Sequence, residues 1–115
     1  MFWLNLDEAR ARLKEAVLVL ARENPEIEQI WLFGSLARGD AVPGSDADIL
    51  VVLSDSRLPF LDRSAHYQPE SCGIGVDVLA YTRSEFERMR AGGNHFLERA
   101  VAEGIRLYNR LSDGG

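Results

Sequence analysis

Apolar residues recur at spacings of three and four through Leu6, Ala9, Leu13, Ala16, Val17 and Leu20, with Glu8, Arg10, Arg12, Lys14 and Glu15 between them. That period lays one apolar stripe along a helix. Asn5, with Glu8 three residues on, is a capping-box variant that opens it, and Asn24-Pro25 closes it. The period then gives way to runs. Ile27 to Phe33, ending in Ile-Trp-Leu-Phe, and Ala47 to Leu53, with Ile-Leu-Val-Val-Leu, are apolar in succession and read as strands in the middle of a sheet covered by helices. Ile74 to Tyr81 reads as a third strand, interrupted by Gly75 and Asp77.

Helical spacing returns after the third strand. Thr82 and Glu85 form a capping box for a helix through Phe86 and Met89 that stops at Gly92-Gly93. Asn94 caps a last helix with Phe96, Leu97, Ala100 and Val101 as its stripe and Gly104 as its stop, and Ile105 to Tyr108 alternates like an edge strand. Residues 109–115 read as a frayed tail. Between Ser54 and Gly73 the signals compete: Pro59 with Phe60 and Leu61 favours a short helix, Gln68-Pro69 and Cys72-Gly73 a loop. The elements describe an α+β (mixed α/β) domain, one small sheet of three to four strands flanked by helices, occupying residues 1–115 as a single unit.

Composition narrows the function. Hydrophobic residues are 46% and charged residues 27% of 115, as in an ordinary globular chain. No apolar run approaches the roughly 20 residues of a spanning helix, and the first residues lack a signal-peptide pattern, so the expected compartment is the cytoplasm, with no membrane partner. One cysteine, Cys72, and two histidines, His66 and His95, leave no zinc spacing and no ready hydrolytic triad. The net charge of −5 disfavours a broad nucleic-acid face.

The chemistry concentrates between Phe33 and Val52. Asp46 and Asp48 enter a strand that is otherwise apolar, and a carboxylate there needs a cation or hydrogen-bond donors. Two apart on a strand, they project to one face, about 6.6 Å apart at a rise of ~3.3 Å per residue. Asp77 can join them if the third strand lies beside the second, and oxygen-only ligation of that kind suits Mg²⁺ or Mn²⁺. The turn before them offers a phosphate cradle. Gly34 permits close backbone approach, Ser35 supplies an N–H and a hydroxyl, Leu36-Ala37-Arg38 can start a short helix, and Arg38 and Ser45 add a charge and a hydroxyl. A Walker A reading fails because Asp40-Ala41 stands where Lys-Ser/Thr is required, and a calcium loop fails because Ile49-Leu50-Val51 follows the aspartates. Spacing alone leaves a glycosidase pair of carboxylates open, but that reading gives the glycine turn no purpose.

Gly34-Ser35-Leu36-Ala37-Arg38-Gly39 followed by Ser45-Asp46-Ala47-Asp48-Ile49-Leu50-Val51 resembles the signature of the DNA polymerase β-like nucleotidyltransferases, in particular the minimal nucleotidyltransferases, and the likeness in element order runs from about Asp7 to Tyr108. The resemblance implies the polymerase β-like fold, Gly34 and Ser35 at the nucleotide phosphates, Asp46 and Asp48 as a metal-bridging pair, and Asp77 as third carboxylate and candidate general base. It implies two Mg²⁺ ions (or Mn²⁺), ATP as donor, and transfer of AMP to a hydroxyl. With no residues left over for an acceptor-binding domain, a second chain is expected to complete the site, as a homo- or hetero-oligomer. Minimal nucleotidyltransferases commonly serve as antitoxins that attach AMP to a tyrosine of a HEPN-domain toxin, which is the leading expectation. Modification of a small molecule, as by aminoglycoside nucleotidyltransferases, and a non-catalytic module that masks a partner are the alternatives.

Overall fold

The structure, a computed structural model, describes residues 5–42, 44–70 and 72–113. The first helix, α1 (Leu6–Glu23), starts where the capping signal places it: the Asn5 side chain accepts from the Glu8 N–H. Ala9, Leu13, Val17, Leu20 and Ala21 form its buried stripe. Strand β1 (Ile27–Phe33) follows, then the single turn α2 (Ser35–Arg38), strand β2 (Ala47–Leu53), helix α3 (Phe60–His66), strand β3 (Val76–Thr82), helices α4 (Arg83–Ala91) and α5 (His95–Glu103), strand β4 (Ile105–Asn109) and a terminal turn α6 (Arg110–Asp113).

The four strands form one mixed sheet in the order β3-β2-β1-β4. β2 runs antiparallel to β1 and parallel to β3, and β4 is antiparallel to β1 at the other edge. Side-chain alternation divides β2 between two faces. Ala47, Ile49, Val51 and Leu53 pack with α1, Ile30 and Leu32 in the larger core, whereas Leu50 and Val52 pack with Phe86 of α4, Leu97 of α5, Trp31 and Phe33. The run is apolar throughout because it is covered on both faces.

Two boundaries differ from the sequence pattern. β3 begins at Val76 rather than Ile74, directly after Gly75, whose carbonyl accepts from the Ala47 N–H at 2.8 Å and whose lack of a side chain leaves room for the Asp46 carboxyl. Within the tail read as frayed, residues 110–113 form the turn α6, and Arg110 donates to the Pro25 carbonyl at 3.1 Å and to Glu28 Oε2 at 3.0 Å. Gly114 and Gly115 lie outside the described residues. Within Ser54–Gly73 the helix reading holds for residues 60–66, opened by Pro59.

Candidate active site

Phe33 ends β1 opposite Asp48, and Asp48 lies beside Asp77 in the parallel ladder, so residues from three adjacent strands meet at one end of the sheet. Asp48 shares its face with Leu50 and Val52, and Asp77 shares the same face with Leu79 and Tyr81. Asp46 stands one residue before β2, exposed, with Asp48 half-buried between it and Asp77. The three predicted carboxylates are thus brought to one face, where α4 and α5 cover the apolar part of β2 further along the strand.

Two glycines make this placement possible. Gly34 has φ +75°, which disfavours any side chain, and a Cβ there would lie 2.5 Å from Asp48 Oδ2. A Cβ on Gly75 would collide with Asp46 Oδ1. Glycine at 34 is therefore required twice over, once by the backbone and once by the carboxylate beside it.

The glycine turn is fixed from both ends. The Gly34 carbonyl accepts from the N–H groups of Ala37 (3.1 Å) and Arg38 (3.0 Å), and Gly39, with φ +90°, caps the turn through Ser35 O. The N–H groups of Ser35 and Leu36, first in α2, have no intrahelical acceptor. Arg10 of α1 grips the other end, its Nε donating to Leu36 O at 2.9 Å and its Nη2 to Ala37 O at 3.0 Å. The sequence carried no sign of that role, because Arg10 is one of several charges on a helix and its partners lie 26 and 27 residues away.

Arg38 and Ser45 occupy less committed positions. The Arg38 Nε donates to Asp40 Oδ2 at 3.2 Å, so the guanidinium is exposed and held by its own turn. It is still close enough to favour the ionised form of Asp48. The Ser45 N–H donates to Val42 O at 3.1 Å beside Gly44 at φ +90°, a turn-shaping role.

Burial pushes the Asp48 carboxyl above the usual carboxylate range, the charges of Asp77 and Asp46 push it further, and Arg38 opposes them. Like charges that disturb one another in this way form a hard, oxygen-only donor set, the type that a divalent cation such as Mg²⁺ relieves. Among the described residues no group of three or more His, Cys, Asp or Glu side chains is placed to hold a metal ion. The three carboxylates share a face and match such an ion in donor type, with Asp48 packed against Gly34 and Asp46 against Gly75.

The nucleotidyltransferase domain model matches residues 13–108. The chain belongs to that family. The sheet, its flanking helices and the transferase assignment therefore agree with what the glycine turn and aspartates implied. No curated protein matches the chain. Among solved structures, a "putative nucleotidyltransferase" of Sulfolobus solfataricus is similar over 90% of this chain and 85% of its own, with 24% identity and a TM-score of 0.62. A chain from a toxin-antitoxin structure with AMP-PNP is 22% identical, covering 87% of this chain and 76% of its own at a TM-score of 0.59. A chain from the complex of a tri-AMPylated Shewanella oneidensis HEPN toxin with its MNT antitoxin is 20% identical, covering 88% and 73% at a TM-score of 0.52. At these identities the likeness is one of fold. Among the described residues no helix is long and apolar enough to cross a membrane.

Proposed function

We propose that the protein transfers AMP from ATP to a hydroxyl group on a HEPN-domain partner, acting as its antitoxin, with Mg²⁺ bound by Asp46, Asp48 and Asp77. The observation that carries this reading is the ladder register that sets Asp77 beside Asp48, with the glycine turn across from them at the end of β1. Donor phosphates are assigned to the Gly34-Ser35 turn, where the Ser35 and Leu36 N–H groups, the Arg38 guanidinium and the Ser45 hydroxyl supply donors. The acceptor is assigned to the β3 side, where Asp77 is exposed and reachable by a second molecule.

Bound to these carboxylates, the ions would neutralise the triphosphate and acidify the acceptor hydroxyl. The chain's own residues then divide the work. Gly34 and Ser35 hold the donor so that the α-phosphorus lies over Asp46 and Asp48, and Asp77 orients the acceptor hydroxyl and takes its proton. A new bond forms from the acceptor oxygen to the α-phosphorus, and the bond to the β-phosphate oxygen breaks, releasing pyrophosphate.

Support for the partner comes from the fold shared with chains of toxin-antitoxin complexes, one containing AMP-PNP and one an AMPylated HEPN toxin. The test is incubation with α-labelled ATP and Mg²⁺, with either a HEPN protein from a neighbouring reading frame or an aminoglycoside as acceptor. Label on the HEPN protein, lost when Asp46 and Asp48 are both replaced by asparagine, is the expected result. Label on the drug alone overturns the partner, and neutralisation of the toxin by the double variant overturns the catalytic account.

A further inference from the structure

A groove of about 400 Å³ opens between α2 and α5, lined in part by Phe33, Gly34, Arg38, Phe96, Arg99 and Glu103. Gly34 belongs both to this groove and to the contact with Asp48, so the groove begins where the candidate phosphate turn ends. Its volume lies within the range that small-molecule ligands occupy.

Phe96 is the unexplained residue in it. α5 docks on the sheet through Leu97, Ala100 and Val101. Phe96 is 47% exposed and belongs to neither core cluster. Its ring meets Phe33 in a T-shaped contact, with centroids 5.5 Å apart and planes at 89°, while nearly half of the residue stays exposed. The two guanidinium groups at the rim are already matched to carboxylates, Arg38 to Asp40 at 3.2 Å and Arg99 to Glu103 at 3.5 Å. With Arg38 facing the turn assigned to the phosphates, the half-exposed Phe96 ring offers the groove a stacking surface that suits a planar ring.

We propose that this groove seats the nucleobase of the donor nucleotide, with Phe96 as its stacking surface and the Arg99 guanidinium at its edge. The proposal rests on the nucleotidyltransferase reading above and adds to it the residues that would select the base. Purines, with the larger stacking face, bind more tightly than pyrimidines.

Binding of Mg-ATP, Mg-UTP and Mg-tripolyphosphate by calorimetry, compared among wild type, Phe96→Ala and Phe96→Tyr, tests it. Phe96→Ala is expected to weaken Mg-ATP about tenfold and to leave Mg-tripolyphosphate unchanged, because base stacking on an aromatic ring is worth roughly that factor. Phe96→Tyr is expected to restore the wild-type affinity. Unchanged Mg-ATP affinity in Phe96→Ala, or equal weakening of nucleotide and tripolyphosphate, overturns the base seat and leaves the phosphate turn standing. A wild-type protein that binds neither Mg-ATP nor Mg-tripolyphosphate overturns the parent reading and the seat with it.

Discussion

The two ends of the sheet treat charge in opposite ways. At the end where β1 stops and β2 and β3 begin, Asp46, Asp48 and Asp77 share a face, and Asp48 is driven above its ordinary range by burial and by the other two. At the far end a buried carboxylate, Glu28, and a half-buried one, Glu85, face guanidinium groups. Glu85 accepts from Arg63 at 2.6 Å, and Glu28 accepts from Arg83 and, at 3.0 Å, from Arg110. These pairs hold Glu28 and Glu85 below the usual range, through the hydrogen bonds to Arg83 and Arg63 respectively. Opposed charges tie α3, α4 and the chain end to the sheet. Like charges gathered on one face work against the fold, a repulsion that a bound cation would relieve.

Replacing Asp46 and Asp48 together with asparagine breaks the first end. Transfer of label from ATP is expected to fall by at least about a thousandfold. The melting temperature without divalent ion is expected to rise, since a repulsion has been removed. A variant that loses activity and also melts lower would place the carboxylates in the scaffold.

Breaking the second end has the reverse signature. Arg63 is 5% exposed and donates to Leu58 O, Ala80 O and both Glu85 oxygens. Arg63→Met is expected to cost about 2–3 kcal/mol in urea unfolding. The affinity of the remaining folded protein for Mg-tripolyphosphate is expected to stay at the wild-type value. Gly34→Ala lies between the two, with an expected loss of about 1–3 kcal/mol from the positive φ and the contact with Asp48. Weakened tripolyphosphate binding in the same variant, read by calorimetry, separates it from Arg63→Met.

The smallest effect is a pH slope. The raised pKa of Asp48 contributes stability that is fully present below about pH 4 and is lost as pH rises through its elevated folded value. Glu28 and Glu85, held low, contribute stability present above about pH 4.3 and lost as pH falls through their depressed values. Urea unfolding without divalent ion should therefore show Asp48→Asn more stable than wild type at pH 7 and equal to it near pH 4, while Glu28→Gln shows the opposite trend. Added Mg²⁺ should close the gap at pH 7 by stabilising the wild type alone.

What could be read from the sequence was what short-range rules write. Asn5 with Glu8, Thr82 with Glu85 and Asn94 with Leu97 are caps decided within one turn, and the structure forms all three. The Gly34-Ser35 turn and the paired aspartates were equally local. The segment around α3 was obscure because its anchors are distant: Arg63 meets Glu85 across 22 residues and the Tyr67 hydroxyl donates to Glu26 across 41. Nothing near Arg63 marks it as a buried cation. The same holds for Arg10, whose grip on α2 depends on a tertiary approach that no local pattern announces.

The parallel pairing of β2 with β3 has a consequence in time. The hairpin-like return from β1 to β2 closes over residues 34–46, whereas β3 reaches β2 only after residues 54–75 have been laid across the sheet. The longer closure carries the larger entropic cost and yields the slower contact. On that ordering the candidate phosphate turn, Asp46 and Asp48 are expected to come together before Asp77 joins them, which a folding-rate comparison of variants in β1 and β3 would check.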